Sequence, residues 1–114
     1  MSALGAQIAA QLHGGQVIEL IGDVGAGKTT LTKGIARGLG IAEAVQSPTF
    51  TISRRYQGKR WHLAHYDFYR LDDAGIMQDE LAETLADSDT ITVIEWAGSV
   101  TGILPAEHIT ITIT

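Results

Sequence analysis

The sequence predicts a protein of the α/β class, with helices packed on a mixed, partly parallel sheet. Three observations predict this: short apolar runs bounded by glycine, apolar residues at helical spacing between them, and two β-rich segments joined by a glycine-containing turn. The chain has 114 residues, so we expect one domain over 1–114. In order, the predicted elements are helix 3–12, strand 17–21, helix 28–39, strands 49–56 and 61–67, helix 74–86, and strands 91–96 and 109–114.

The first helix and the first strand are predicted from adjoining patterns. Leu4, Ile8 and Leu12 recur at the spacing of one helix face, and the glycines that follow end the helix. The run Val17–Ile21 is short, largely apolar and lies between glycines, which indicates a buried strand. A glycine-rich loop over 22–27 follows that strand.

The second helix is predicted from an apolar stripe formed by Leu31, Ile35 and Leu39. Gly38 or Gly40 is expected to end it, because glycine commonly follows the last helical turn. The stripe implies that one face of this helix packs on the sheet.

A hairpin is predicted in the middle of the chain. Residues 49–56 and 61–67 are rich in β-branched and aromatic side chains, and a turn containing Gly58 separates them. Pro48 ends the loop before the first of these strands, because the residue that precedes a proline favours an extended backbone.

The last third of the chain predicts a helix and two strands. The helix covers roughly 74–86. Residues 91–96 are apolar on both faces as far as Glu95, which is typical of a central strand covered on both sides. In the final strand, over 109–114, isoleucine alternates with threonine, so we expect one buried and one solvated face.

Composition and charge exclude several classes of protein. The absence of cysteine excludes disulfides, thiolate metal sites and a cysteine nucleophile. No apolar run approaches the roughly 20 residues of a membrane span, and Met1–Ala10 lacks the features of a signal peptide. We therefore expect a cytoplasmic protein with no membrane partner. The net charge of −5 is opposite to that of most nucleic-acid binders, so a partner is expected to hold any nucleic acid.

The glycine-rich loop and the two residues after it match the motif G-x-x-x-x-G-K-[ST], the most specific pattern in the chain. Glycines let backbone amides curl around an anion, and the following helix directs its amino terminus at the phosphates. Lysine reaches the β- and γ-phosphates, and the next hydroxyl ligates Mg²⁺. We therefore predict a P-loop NTPase three-layer sandwich that binds a nucleoside triphosphate and Mg²⁺. The residues of the motif G-x-x-x-x-G-K-[ST] are Gly22, Asp23, Val24, Gly25, Ala26, Gly27, Lys28 and Thr29.

Two carboxylates at predicted strand ends are candidates for the metal and the water. Glu95 ends the apolar run of one strand, and Asp67 ends another. A P-loop enzyme needs an acid near its bound metal, so one of the two is expected to ligate Mg²⁺ and the other to orient water or substrate. Spacing alone does not assign the two roles, and either side chain could instead cap a strand exit.

Three further features have two interpretations each. Ser47-Pro48-Thr49 is either a loop that senses the γ-phosphate or a turn that starts a strand. Trp96 is either a gate beside the phosphates or a core residue. The basic cluster around the hairpin is either a docking surface or RNA contact, or a solvated edge protected by charge. Its members are Arg54, Arg55, Lys59 and Arg60.

The histidines give no metal site. His62 and His65 are three residues apart on a predicted strand, so their side chains point to opposite faces. We expect neither to be a metal ligand.

Taken in order, four motifs resemble the bacterial TsaE (YjeE) ATPases. They are the phosphate loop with Thr30, Ser47-Pro48-Thr49-Phe50, His65-Tyr66-Asp67-Phe68-Tyr69-Arg70-Leu71, and Ile94-Glu95-Trp96. The resemblance runs from about Gly15 to the end of the chain. Relative to the family the chain is short at both ends, so we expect a compact or a truncated member.

The resemblance implies an ATPase required for threonylcarbamoyladenosine modification of ANN-decoding tRNAs. It implies TsaB and TsaD as partners, with ATP hydrolysis resetting their complex and tRNA contacted only through it. Thr29 and Glu95 are implied as Mg²⁺ ligands, Asp67 as the catalytic carboxylate and Lys28 as the contact to the β- and γ-phosphates. The implied phosphate-binding residues are Asp23, Val24, Gly25, Ala26, Gly27, Lys28, Thr29 and Thr30. The implied switch residues are Ser47, Pro48, Thr49 and Trp96.

Two other functions stay open. A stand-alone phosphotransferase, such as a small-molecule kinase, needs an acceptor region and usually a lid, for which the chain has little room. A nucleotide switch that binds without hydrolysis is disfavoured by the presence of Asp67 and Glu95, and in such a switch Asp67→Ala should leave binding and function unchanged. A partner-dependent ATPase that is weak on its own is the leading interpretation.

Overall fold

The computed structural model describes residues 2–22, 25–42, 45, 53–68, 75–95, 104–105 and 107–113. These contain helices and strands in the predicted order α-β-α-β-β-α-β-β. The helices are α1 (Ser2–Ala9), α2 (Gly25–Gly38) and α3 (Gly75–Ala86), and the strands are β1 (Val17–Ile21), β2 (Ser53–Gln57), β3 (His62–Asp67), β4 (Thr90–Glu95) and β5 (Ile109–Thr112).

The strands form a five-stranded sheet in the order β2-β3-β4-β1-β5. β1 pairs in parallel with β4 and β5, and β3 pairs in parallel with β4. Among the strands that the structure describes, only β2 runs antiparallel, as the first strand of the hairpin with β3. The predicted mixed, partly parallel sheet with an antiparallel hairpin is therefore confirmed, and the carboxyl ends of the four parallel strands meet at one edge.

Two hydrophobic clusters cover the two faces of the sheet. One cluster joins α1 and α2 to the sheet through side chains such as Leu31, Ile35 and Ile18. The other joins α3 to the opposite face through Leu81 and Tyr66. Every residue of β4 is buried between them, which confirms the central strand and the three-layer sandwich.

The predicted apolar stripe of the first helix is confirmed at Ile8 and Leu12, which pack in the core, but not at Leu4. Leu4 is 47% exposed, whereas Ala9 is buried. A Cβ built on Gly5 would lie 2.8 Å from the carbonyl carbon of Gly34, so the two helix backbones approach closely there. The amphipathic helix is confirmed, but its closest contact with α2 is made by small residues, which the periodicity of large apolar side chains does not detect.

Helix α2 ends at a glycine, as predicted. Gly40 has a φ of 78°, and its amide donates to the carbonyl of Arg37. The amide of Ile41 donates to the carbonyl of Ala36, which completes a Schellman motif. At its other end α2 begins at Gly25 rather than at Lys28, because the second half of the glycine-rich loop is already helical.

The turn of the hairpin covers 58–61, between β2 and β3. A Cβ on Gly58 would lie 2.4 Å from the carbonyl oxygen of Trp61, so only glycine fits this turn. The predicted segment 49–52, at the start of the first hairpin strand, lies outside the described residues. None of the helices described has both the length and the apolar character that crossing a bilayer requires.

Candidate functional site

The parallel register brings the candidate residues to one edge of the sheet. Glu95 is the Cα partner of Leu20 on one side and of Asp67 on the other. The glycine-rich loop begins directly after β1, which ends one residue beyond Leu20. In α/β sheets, ligands bind outside the carboxyl ends of the strands, so this edge is the candidate site.

The first glycine of the loop is fixed by contact with the end of β5. A Cβ on Gly22 would lie 2.7 Å from the carbonyl oxygen of Ile113. The amide of Ile113 in turn donates to the carbonyl of Ile21 at 2.7 Å. Any side chain at position 22 would therefore displace the backbone of this neighbouring segment.

The second half of the loop forms the first turn of α2. Gly27, Thr29 and Thr30 are partly buried there, and Lys28 is only 1% exposed. The free amides and the positive dipole end of such a turn attract anions. The predicted phosphate-binding residues from Gly25 to Thr30 are thus presented by a single helix terminus.

Glu95 lies between two nitrogen-bearing side chains. Its Oε1 is 3.9 Å from Nζ of Lys28, and its Oε2 is 2.5 Å from Nε2 of His65. Glu95 is 2% exposed and His65 is fully buried. Burying a carboxylate is costly unless it is paired and hydrogen-bonded, and both conditions are met here.

Sequence reasoning missed the role of His65 beside Glu95. The prediction that His62 and His65 point to opposite faces agrees with their burial, since His62 is exposed and His65 is not. A signal was available, because His65 and Asp67 are two residues apart and therefore share a face of the strand. Knowing that Glu95 belongs to that group required the order of β3 and β4.

Asp67 occupies the last position of β3 and is half-buried. Its strand partner is Glu95, so the two carboxylates predicted from separate segments come together. The amide of Phe68 donates to the carbonyl of Glu95 at 3.1 Å, which extends the hydrogen bonding between β3 and β4 by one residue.

The donor set at this edge suits Mg²⁺ delivered with a nucleotide. Among the described residues, no three His, Asp or Glu side chains converge as a preformed metal cage. Mg²⁺ is usually bound by one or two protein oxygens together with substrate phosphates and water. The hydroxyl of Thr29 and the carboxylate of Glu95 are hard oxygen donors of that kind, so the residues present fit such an ion.

The other predicted site residues cannot be compared with the structure, because they lie outside its described ranges. They are Asp23, Val24, Ser47, Pro48, Thr49 and Trp96.

A polar network ties α3 to the strand that carries Asp67. The hydroxyl of Tyr66 is 2.8 Å from Oγ1 of Thr84 and 3.4 Å from Oε1 of Glu80. Arg55, from the edge strand β2, also donates to Oγ1 of Thr84. Burial raises the pKa of Tyr66 above 10.0, with the carboxylate of Glu80 acting in the same direction.

The basic cluster around the hairpin is solvent-exposed at all four of its positions. Arg55 nonetheless donates a hydrogen bond to Thr84, and the guanidinium of Arg60 lies 4.8 Å from the ring centroid of Trp61. Two of the four basic side chains therefore make contacts within the chain. The interpretation of the cluster as a docking surface stays a prediction.

A second polar pair joins His108, the residue before β5, to Glu19 in the middle of β1. Nδ1 of His108 is 2.8 Å from the carbonyl oxygen of Pro105, and Nε2 is 3.1 Å from Oε1 of Glu19. The carbonyl of Pro105, followed by Glu19, raises the pKa of His108 above 6.5.

The chain is similar in sequence to a family of known proteins. Residues 1–114 match the family described as "Threonylcarbamoyl adenosine biosynthesis protein TsaE". The tRNA threonylcarbamoyladenosine biosynthesis protein TsaE of Bacillus subtilis is 42% identical over 99 residues, which are 87% of this chain and 61% of that protein. The protein of the same name from Streptomyces coelicolor is 42% identical over 98 residues, 84% of this chain and 66% of that protein.

The fold is likewise similar to a solved structure. The crystal structure of YdiB from Bacillus subtilis superposes with a TM-score of 0.76 at 38% identity, covering 98% of this chain and 68% of that one. The chain thus spans somewhat less than two thirds of the two curated relatives. A match along the whole sequence, relatives above 40% identity and a shared fold lead to one conclusion: the chain belongs to the TsaE family.

Proposed function

We propose that this protein binds ATP and Mg²⁺ at the carboxyl edge of its sheet and hydrolyses ATP in the service of tRNA threonylcarbamoyladenosine biosynthesis. The observation that carries the proposal is the convergence of Lys28, Asp67 and Glu95 beside a glycine-rich loop. Membership of the TsaE family supplies the biological process.

The loop and the first turn of α2 bind the phosphates. The backbone amides from Asp23 to Thr30 would donate to the phosphate oxygens, and the helix dipole would add a favourable field. Lys28 pairs with the β- and γ-phosphates. Because Lys28 is buried against Glu95 in the structure, phosphate binding exchanges one anionic partner of the lysine for another.

Thr29 and Glu95 would hold Mg²⁺. When bound, the ion neutralises the charge that develops on the phosphate oxygens. Asp67, next to Glu95 in the sheet, is the catalytic carboxylate and orients the attacking water. In this division of roles, Glu95 is directed at the metal and Asp67 at the nucleophile.

The remaining roles follow from the family. Ser47, Pro48 and Thr49 form a first switch that senses the γ-phosphate, and Trp96 belongs to a second. The first switch precedes β2 in the sequence, and the first residue of β2, Ser53, pairs with Tyr66 near the carboxyl end of β3. The structure supports the proposal through the position of Glu95, which immediately precedes Trp96.

The proposed partners are TsaB and TsaD, in the cytoplasm. ATP hydrolysis resets their complex between turnovers, and the protein contacts tRNA only through that complex. The net charge of −5 supports an indirect role, because the phosphate backbone of RNA attracts basic surfaces.

Phosphate release from Mg·ATP tests the proposal, measured with and without added TsaB–TsaD and with Lys28→Ala as the control. We expect weak release alone, stimulation by the partners and loss of both in the control. Release that the partners leave unchanged would contradict the partner-dependent role, and transfer of phosphate to a small molecule would favour a kinase. Binding without hydrolysis under either condition would favour a nucleotide switch.

A further inference from the structure

The carboxylate of Glu95 has a different neighbour on each oxygen. Oε1 faces Lys28 at 3.9 Å, beyond hydrogen-bond distance, whereas Oε2 contacts Nε2 of His65 at 2.5 Å. Lys28, Glu95 and His65 are all at most 2% exposed. The tighter contact of this carboxylate is therefore with the histidine, which the proposed function does not use.

The direction of that hydrogen bond follows from the chemistry of the two groups. A carboxylate only accepts hydrogen bonds, so Nε2 of His65 carries a proton, and this N–H donates a hydrogen bond to Oε2. Nδ1 of the same ring is buried and has no hydrogen-bond partner among the described residues. Among those residues, the hydrogen bond to Glu95 alone orients the polar atoms of the ring.

The sheet makes this contact short and rigid. His65 lies on β3, and its Cα partner on β4 is Val93, two residues before Glu95. Side chains two apart share a face of a strand, so the ring and the carboxylate project from neighbouring strands on the same side. Central strands buried on both faces allow little adjustment, and His65 therefore restricts the rotamers of Glu95.

Nucleotide binding would remove one neighbour of Glu95 and leave the other. Under the proposed function Lys28 turns to the phosphates, so Oε1 loses the positive charge that faces it. Oε2 keeps its hydrogen bond to His65. Without that bond, the carboxylate would be free to rotate when the lysine leaves.

We propose that His65 is a positioning residue that fixes Oε2 of Glu95 and so keeps Oε1 directed at the metal of Mg·ATP. The inference rests on the proposed function, in which Glu95 is a Mg²⁺ ligand. Hydrogen bonds to metal-ligating side chains commonly change metal affinity or activity by tenfold or more when they are removed.

The test compares His65→Met with His65→Gln. The side-chain amide of glutamine can place a donor near the position of the histidine Nε2, whereas methionine has similar length and no donor. The readout is binding of a fluorescent ATP analogue, measured in EDTA and across a Mg²⁺ titration. The matched control is His62→Met, because His62 lies on the same strand and is exposed.

For His65→Met we expect the Mg²⁺ concentration that gives half-maximal enhancement of binding to rise on the order of tenfold, with binding in EDTA unchanged. His65→Gln should restore most of the Mg²⁺ response, and the control should match the wild type. An equal loss of binding in EDTA and in Mg²⁺ would indicate a structural role and overturn the proposal. So would an unchanged Mg²⁺ response in His65→Met.

The wild-type chain separates this inference from the proposed function. If it shows no Mg²⁺-dependent nucleotide binding, the proposed function fails and the inference with it. If it does and only the variants disagree, the inference alone fails. If His65→Met does not fold, NMR of the wild type can follow the Nε2 proton of His65. A proton signal that persists when Mg·ATP is added supports the proposal. Loss of that signal overturns the proposal.

Discussion

Asp67 and Glu95 are Cα partners at the ends of parallel strands β3 and β4, so two carboxylates stand beside each other next to the phosphate loop. Their surroundings differ, because Glu95 is fully buried against Lys28 and His65 while Asp67 is half-buried. The difference supports separate roles, with Glu95 held in one orientation and Asp67 nearer to solvent and hence to an attacking water.

Replacement of Asp67 by Asn is expected to separate binding from hydrolysis. The amide keeps the shape of the side chain but removes the charge that orients and polarises the water, so phosphate release should fall by about a hundredfold. The dissociation constant of ATP should change less than about threefold, within the context-dependence of a single contact. Steady-state phosphate release and equilibrium ATP binding measure the two quantities.

The matched control for Asp67 is Asp89→Asn. Asp89 is exposed in the turn before β4, at the other end of the strand pair. This variant should behave as the wild type. Normal turnover in Asp67→Asn would return Asp67 to a structural role at the strand exit.

Replacement of Lys28 by Ala is expected to weaken ATP binding by about ten- to a hundredfold, the equivalent of one charge-assisted hydrogen bond. It should also lower the free energy of unfolding, because Glu95 keeps only His65 among its described partners. Calorimetric titration and denaturant unfolding measure the two effects. Lys33→Ala is the control, since Lys33 is exposed on the same helix; equal ATP affinity in Lys28→Ala would refute the phosphate-loop assignment.

Replacement of Tyr66 by Phe is expected to lower the free energy of unfolding by about 1 kcal/mol, because the hydroxyl bonds to Thr84 and Glu80 are lost. Burial raises the pKa of Tyr66 above 10.0. The unfolded chain therefore loses the phenolic proton first, and this contribution to stability disappears as the pH rises above about 10. Denaturant unfolding at pH 8 and above pH 10 should show a steeper fall in the wild type than in the variant. Parallel pH curves for the two proteins would contradict this account.

His108 is expected to titrate above 6.5, with its pKa raised first by the Pro105 carbonyl and then by Glu19. Both ring nitrogens have acceptors, and only the protonated ring donates to both. The resulting stabilisation is present below about pH 6.5 and is lost as the pH rises through the folded-state pKa.

NMR titration of the His108 ring measures this pKa directly. Glu19→Gln should lower it, but not to its ordinary value, because the carbonyl of Pro105 remains. If the variant leaves the pKa of His108 unchanged, the contact with Glu19 does not contribute in solution.

The sequence determined most of the fold because the strongest patterns coincide with buried segments. β1 matches its predicted bounds at Val17–Ile21, since a short apolar run between glycines has few alternatives. The early start of α2 at Gly25 was missed because a glycine-rich sequence does not show helical periodicity. The exposure of Leu4 was missed because glycine and alanine form the contact between the first two helices.

The candidate site was predicted to a similar extent. Lys28, Asp67 and Glu95 were each recognisable from their positions in a motif or at a strand end, and the structure brings them together. The contact of His65 with Glu95 depends on which strands are neighbours. Periodicity along one segment carries no information about that order, so this part of the site required the three-dimensional structure.

The contact between Gly22 and Ile113 bears on the order in which the described segments fold. Gly22 follows the first strand of the described chain, whereas the backbone that closes against it follows β5, the last described strand. Contacts between segments so distant in sequence are slow to form. We therefore expect the docking of β5 on β1, which packs backbone against the first glycine of the phosphate loop, to be a late step in folding.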